Sequence, residues 1–382
     1  MENHFIAADV DRARISPSAV IHPGCRISGA ETSIGPDCEL GAEGAVTLRN
    51  CQLGKGVTLG GGFAEGTTFL DGSSFGDSFH IRPGSLIEEE ASGGHSVGLK
   101  QTVIFPFVTL GSLINFCDIL MAGGTGAKNH SEVGSSYIHF NFTPHQDKAT
   151  ASLVGDVPRG VLLREEPIFL GGQGGLVGPA RIAYGTVAAA GTLLRGDIVE
   201  ERKLVMGGGG AGPLKTRDYD QTRYGDITRI VANCLAYIGN IAALRCWYER
   251  FRRPLMTRTT WGEACLEGAL KRLEEIRIER VKRLDQLAEK VVKSSTPHAS
   301  HEKFLADWDA LRPRLETPAP QSRQPAPPPQ IAAIIAKRFV APADADANAD
   351  CVKTIQTLSP EERQAVTEFL EGVASSAVAA MR

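Results

Sequence analysis

A step of six residues runs through the first half of this chain and limits what it can fold into. Phe63, Phe69, Phe75, Ile81 and Ile87 stand six apart, as do Ile15, Ile21 and Ile27, and Ile34, Leu40 and Val46. The step returns at Leu170, Leu176, Ile182, Ala188 and Leu194. Glycine often follows the apolar residue, and the fourth residue after it is often small, as at Cys25, Cys38, Thr67, Ser73, Ser85, Ala180, Thr186 and Thr192. A fixed short period of this kind marks a repeat fold, here the hexapeptide parallel β-helix. Each hexapeptide makes one flat side of a triangular coil. The apolar residue points to the axis and the small one fits a corner. Stacked coils hydrogen-bond at about 4.8 Å, so roughly eight to ten coils over residues 15–198 make a rod on the order of 40 Å long. This coil type winds left-handed, an exception to the right-handed crossover rule. A sandwich would alternate with period two instead.

The expected fold is therefore an all-β left-handed parallel β-helix followed by an α-helical C-terminal region. Residues 1–14 read as a lead-in, 15–198 as the β-helix and 199–217 as a glycine-rich connector holding Gly207–Gly210 and Gly212-Pro213. From 218 to 316 the apolar spacing turns to three and four, in one stripe from Ile227 to Ala242 and another over 261–293. Residues 317–330 form a proline-rich linker, and 331–382 a small helical tail in which Ser359-Pro360-Glu361-Glu362 starts a helix.

The 42 glycines suit a fold made of coils and corners. A net charge of −3 gives no reason to expect a nucleic-acid partner. The start has no apolar run, no stretch approaches the length of a membrane span, and the eight cysteines are scattered without a Cys-x-x-Cys pair. The expectation is a cytoplasmic protein with no membrane partner and no disulfide framework. Cys25 and Cys38 read as small apolar corner residues.

The period breaks near 88–96, at 122–132 (AGGTGAKNHSE) and over 143–167. Insertions in repeat proteins map to loops on one face, often the binding face, so the chemistry is sought at 122–167. Around these breaks lie Tyr137-Ile138-His139-Phe140-Asn141-Phe142, Thr150, Phe169-Leu170-Gly171-Gly172, Leu176-Val177-Gly178-Pro179 and Ala189-Ala190-Gly191-Thr192. In that order they resemble the C-terminal acetyltransferase domain of the bifunctional N-acetylglucosamine-1-phosphate uridyltransferase/glucosamine-1-phosphate acetyltransferase family. The resemblance implies a homotrimer that binds acetyl-CoA in a groove between subunits, with a histidine as general base. It places Asn141, Phe142, Gly172 and Ala190 on the coenzyme, and makes His130, in Lys128-Asn129-His130, the base. His139 and His145 are alternative bases. Ser131-Glu132-Val133 stand where the family has a substrate tyrosine, and Asp147 replaces a lysine. The implied acceptor is accordingly a class, sugar phosphates or nucleotide sugars, with Lys128, Lys148 and Arg164 as its cationic contacts.

The chemistry fits such groups. An amine or hydroxyl attacking a thioester must lose a proton, which a neutral imidazole can take at pH 7. The tetrahedral oxyanion needs fixed donors, such as coil amides or an asparagine. Two other readings stand beside this one. A non-catalytic scaffold or sugar-nucleotide-binding rod would keep its coils regular. A zinc carbonic anhydrase of this fold would carry two histidines five apart on a regular coil; His139 and His145 are six apart, and no metal site is expected.

Overall fold

The computed structural model describes residues 4–143, 145, 147–207, 219–220, 222–316, 326–340 and 350–379. Most of the proposed glycine-rich connector and of the proline-rich linker lies outside these residues.

The first half is a parallel β-helix with three sides. Side 1 begins at Phe5–Ile6 and Arg26–Ser28 and ends at Gly175–Val177 and Leu193–Leu194. Side 2 runs from Ser33–Ile34 to Arg181–Ile182. Side 3 has ten strands in strict sequence order, from Val20–Ile21 to Leu204–Val205. Two long strands, Gly98–Ile104 and Asn115–Met121, turn the corner from side 1 to side 2 without a break. Gln101 and Asp118 make that bend with φ of 51° and 61°.

The register shows why the period predicted the fold. Phe69 pairs with Ile87, and Leu176 with Leu194. Each step is three hexapeptides, so the same kind of residue meets its equivalent one coil on. Ile34, Leu40, Phe69, Phe75, Ile81, Ile87, Leu170, Leu176 and Ala188 are all buried, as are the corner residues Cys25 and Cys38. Each large aliphatic or aromatic side chain so placed contributes roughly 1.5–3 kcal/mol. Phe63 departs from its assigned position. Ala64 fills the inward position, in register with Leu48 and Ile81, while Phe63 lies outside, stacked on His80 at 5.0 Å. The Gly60-Gly61-Gly62 run, with Gly62 at φ 140°, slides the phase by one residue.

The helices lie along side 2. In chain order they are α1 (Val157–Gly160), α2 (Thr228–Trp247), α3 (Arg253–Met256), α4 (Thr260–Val292), α5 (Ala299–Glu316), α6 (Pro329–Ile334), α7 (Cys351–Gln356) and α8 (Pro360–Ala377). α4 crosses side 2, and Gly268 lets it approach closely. A Cβ there would meet Gln52 Oε1 at 2.3 Å and Thr68 Oγ1 at 2.5 Å. Farther along, Arg280 pairs with Asp118 at 2.5 Å. Between α2 and α3, Tyr248–Arg252 forms a π-helical turn that brings Tyr248 and Arg252 to the buried Glu88 and Glu89. One hydrophobic cluster joins the coil interior to the helices.

The stretch Thr228–Met256 is long and apolar enough to cross a membrane, contrary to the sequence reading, but its apolar window is 67 % buried within the molecule. Ser359 caps α8 in a capping box with Glu362, and α8 packs on α2 and α1.

Candidate active site

The breaks at 122–132 and 143–167 leave the rod at two different corners, the second divided by the coil strand Ser152–Val154, whereas 88–96 stays in the coil, with Ser92–Gly93 paired on side 3. Residues 122–131 connect side 2 to side 3 and fold into a small hairpin, Gly124–Gly126 against Asn129–His130. Gly123 and Gly124 have φ of 117° and 93°, and a Cβ on Gly124 would meet the His130 Cα at 2.7 Å. Ser131 anchors the hairpin base. Its hydroxyl donates to the Ala122 carbonyl (3.0 Å) and accepts from the Ile168 amide (2.9 Å), tying this loop to the next. Residues 155–168 leave from the same corner. Arg164 donates to the Gln356 carbonyl (2.6 Å), and the Gln356 amide donates to the Thr125 carbonyl (2.9 Å), so α7 bridges both loops.

His130 is half-buried on this hairpin. Its Nδ1 lies 3.0 Å from the Ala127 carbonyl. A carbonyl only accepts, so in the neutral ring this contact puts the proton on Nδ1 and leaves the Nε2 lone pair free, the tautomer a general base needs. Lys128 is exposed at the hairpin tip and Arg164 is exposed beside it. These three predicted residues share one corner.

Residues 141–151 connect side 1 to side 2, at another corner. Asn141 donates to Asp118 Oδ2 (2.8 Å), and the other oxygen of Asp118 holds Arg280 of α4. Asp118 and Arg280 are both buried. The helical layer therefore fixes the Asn141 amide through a buried ion pair, a linkage absent from the sequence reading. A signal was present: one aspartate inside the apolar run Phe116-Cys117-Asp118-Ile119-Leu120. Phe142 next to Asn141 is 53 % exposed. Lys148 is exposed on the same loop, and Thr143 and Asp147 close it with a 2.5 Å hydrogen bond.

Gly172 and Ala190 are at the third corner, between sides 3 and 1. There the backbones nearly touch: a Cβ on Gly171 would meet the Ala190 nitrogen at 2.4 Å, and one on Gly172 would meet the Ser135 carbonyl at 2.8 Å. Within one chain, then, His130, the Asn141–Phe142 pair and the Gly172–Ala190 pair occupy three separate edges.

The alternative bases have other surroundings. His139 fills the inward column of side 1, in register with Leu176. Its Nδ1 is 2.5 Å from the Cys117 carbonyl and its Nε2 2.8 Å from the Ser152 hydroxyl. Burial pushes its pKa down to about 4. It is neutral, but both nitrogens are engaged in the core, away from any substrate. His145 packs tilted against Tyr224 at 4.6 Å and Tyr219 at 6.0 Å, on the Asn141 loop. Among the described residues, no group of three His, Cys, Asp or Glu side chains is placed to hold a metal ion.

Two sides separate these edges, and among the described residues the helices pack on the other one, side 2. Where the loops emerge, their outward residues turn apolar: Ile138, Phe140 and Leu193 on side 1, Phe169 and Val187 on side 3, all 38–42 % exposed. Phe169 and Val187 are stacked neighbours, as are Ile138, Gly175 and Leu193.

No protein-family model matches the chain. It is 27 % identical over 196 residues to the bifunctional protein GlmU of Geobacillus sp. (strain WCH70), covering 51 % of this chain and 38 % of that protein. It is 26 % identical over 191 residues to the bifunctional protein GlmU of Geotalea uraniireducens (strain Rf4), covering 50 % and 37 %. The chain thus spans well under half the length of these relatives. A crystal structure of UDP-N-acetylglucosamine acyltransferase aligns over 51 % of this chain and 71 % of its own, at 19 % identity and a TM-score of 0.30, too distant a likeness to bear on function. The similarity seen in a few motifs extends through the repeats: over half its length the chain is a hexapeptide β-helix similar in sequence to the GlmU proteins.

Proposed function

We propose that the protein is an acyltransferase that moves an acetyl group from acetyl-CoA to an amino or hydroxyl group of a sugar phosphate or nucleotide sugar, at sites completed between chains of a homotrimer. One observation carries this reading: among the described residues the helices pack on side 2, whereas sides 1 and 3 present exposed apolar residues beside the interrupted coils. Packing side 1 of one chain on side 3 of the next, around a three-fold axis at the Gly172–Ala190 corner, buries both patches. It also brings the outer edge of one chain's side 3 to the outer edge of the neighbour's side 1. His130, Lys128 and Arg164 of one chain then face Asn141, Phe142 and Lys148 of the next. Residues that sit apart in one chain meet in the assembly. The Gly172 and Ala190 amides line the inner end of the same cleft, within reach of an extended coenzyme arm.

In this cleft the acceptor nitrogen or oxygen attacks the thioester carbonyl while His130 Nε2 takes its proton. The tetrahedral intermediate collapses, the carbon–sulfur bond breaks, and the CoA thiolate leaves and takes up a proton. Phe142 offers an apolar wall to the pantetheine arm and the Asn141 amide a fixed hydrogen bond. Lys128, Arg164 and Lys148 are placed for acceptor phosphate. A cytoplasmic setting, where acetyl-CoA is available, goes with this reading.

The test uses two variants, His130→Ala and Asn141→Ala/Phe142→Ala, each expected to transfer acetyl poorly alone. Refolded together at equal ratio, they form mixed trimers in which about a quarter of the clefts pair an intact His130 with an intact Asn141–Phe142 edge. Activity recovering to about that fraction of wild type supports the shared site. Mixtures no more active than either variant alone refute it, and a light-scattering mass of a monomer refutes the assembly.

A further inference from the structure

Another cavity, of about 410 Å³, opens at the corner between sides 2 and 3 on the earlier coils. The coil corners at Leu70–Asp71 and Glu89–Glu90 form its floor, Met256 and Trp261 one wall, and Asp350–Cys351 at the start of α7 the other. It is separate from the loops at 122–168, and the acyl-transfer reading makes no use of it.

Two buried polar atoms here have no partner among the described residues. Glu89 is 9 % exposed; its Oε1 is bound to Arg252, but its Oε2 accepts no hydrogen bond. The indole Nε1–H of Trp261 is buried and donates to nothing. Leaving a buried acceptor or donor unmet costs about 1–3 kcal/mol each, so each calls for a partner, either water or a ligand. The polarity of the lining says what kind of ligand. Four acidic residues, Asp71, Glu89, Glu90 and Asp350, and two lysines, Lys55 and Lys353, line it, and Arg252 behind Glu89 adds a third cation, so acidic groups still outnumber basic ones. Lys353 already pairs with Asp350 at 3.3 Å, and both lysine side chains stand exposed. Leu70, Leu255, Met256 and the Trp261 ring supply the apolar surface. Among the described residues, no three His, Cys, Asp or Glu side chains are placed together to hold a metal ion.

We propose that this cavity binds a small organic ammonium: a protonated amine that donates to Glu89 Oε2, carries an apolar body against Trp261 and Met256, and presents a hydroxyl or carbonyl oxygen to Trp261 Nε1. The volume suits a molecule of about ten heavy atoms. The ligand closes the cavity against α7, whose far end holds the His130 hairpin through Gln356 and Thr125.

The experiment is calorimetry and thermal denaturation of the full-length protein with tyramine and 2-aminocyclohexanol, each against its N-acetyl form, which keeps the shape and removes the charge. The amines are expected to release or absorb heat on binding and raise the melting temperature, and the N-acetyl forms to do neither. Glu89→Gln is expected to weaken amine binding by at least about tenfold, as loss of a charged hydrogen bond does. Because Glu89 also pairs with Arg252, Trp261→Phe is the second variant; it keeps the ring, removes only the N–H, and is expected to weaken binding less. The proposal is overturned if neither amine binds at millimolar concentration, if the N-acetyl forms bind as well, or if both variants bind like the wild type.

Discussion

Beyond the exposed Val20 on its first strand, the outward column of side 3 changes character once along its length. From Glu39 through Thr58, Ser74, Ser92, Thr109 and Glu132 it is polar; from Phe169 through Val187 to Leu204 it is apolar. The two stretches share one fold, one inward pattern and one coil spacing. The change falls where the loops 122–131, 141–151 and 155–168 leave the rod. On the early coils the repeat is a platform, and its partner is the chain's own α4. On the late coils it carries loops bearing candidate chemistry, and its outer surface is suited to another chain. A repeat fold can divide labour in this way because each coil touches only its neighbours, so one end can change its surface without cost to the other.

The sharpest way to break this comparison is to place the same charge on both stretches. Val187→Glu is expected to abolish the proposed trimer and with it acetyl transfer, since a carboxylate would be buried unpaired in an apolar contact. Thr58→Glu, on the early coils, is expected to leave assembly and activity unchanged. Light scattering and a transfer assay read both. Equal disruption by the two would mean that the apolar stretch has no special part in assembly.

The next largest effect concerns the helical layer. Arg280→Met removes the buried partner of Asp118 and is expected to lower stability by about 3–5 kcal/mol, the usual cost of leaving one buried charge alone. Because Asp118 also holds Asn141, coenzyme affinity should fall as well. An Arg49→Met variant, which breaks only the exposed pair with Glu65 on the early coils, is expected to cost less than about 1 kcal/mol in urea titrations.

The contrast also shows what was legible in the sequence. Ile34, Phe69, Leu176 and Ala188 were readable as core because a coil interior admits one kind of side chain at one spacing. Phe63 misled because three consecutive glycines let the chain slip by a residue. The stripe on α4 announced a buried face but not its counterpart, since packing against Gln52 and Thr68 depends on Gly268 and on coil corners far away in sequence. At the candidate site, the breaks in period located the loops, and the Asn-aromatic motif located one edge. Which corner each loop leaves from depends on the register of strands up to 37 residues apart, as for Val133 and Leu170, and this separates His130 from Asn141 within a chain. His139 lay in the motif yet belongs to the core, because an apolar column can take one neutral imidazole when both its nitrogens find partners.

That placement of His139 has a consequence in acid. Its folded pKa of about 4 lies below the usual value of 6.5, so the unfolded chain binds more protons between these limits. The contribution is complete above pH 6.5 and is lost as pH falls toward 4, a change of about 3 kcal/mol. His139→Gln, which keeps hydrogen-bonding groups but does not titrate, is expected to flatten stability over that window relative to wild type. An unchanged slope would place the imidazole in water instead.

The smallest effect on stability is expected at His130, and it separates chemistry from architecture. The ring stands on a hairpin outside the coil core, so His130→Ala should leave the melting temperature and the CoA affinity close to wild type. Turnover should fall by roughly a hundredfold, as loss of a general base does when binding survives. His145→Ala, which removes a ring packed against Tyr224 at the opposite edge, should alter coenzyme binding more than turnover. If His130→Ala retains full turnover while His145→Ala loses it, the proton acceptor sits on the Asn141 edge, and the chemistry belongs to one wall of the cleft instead of being divided between two chains.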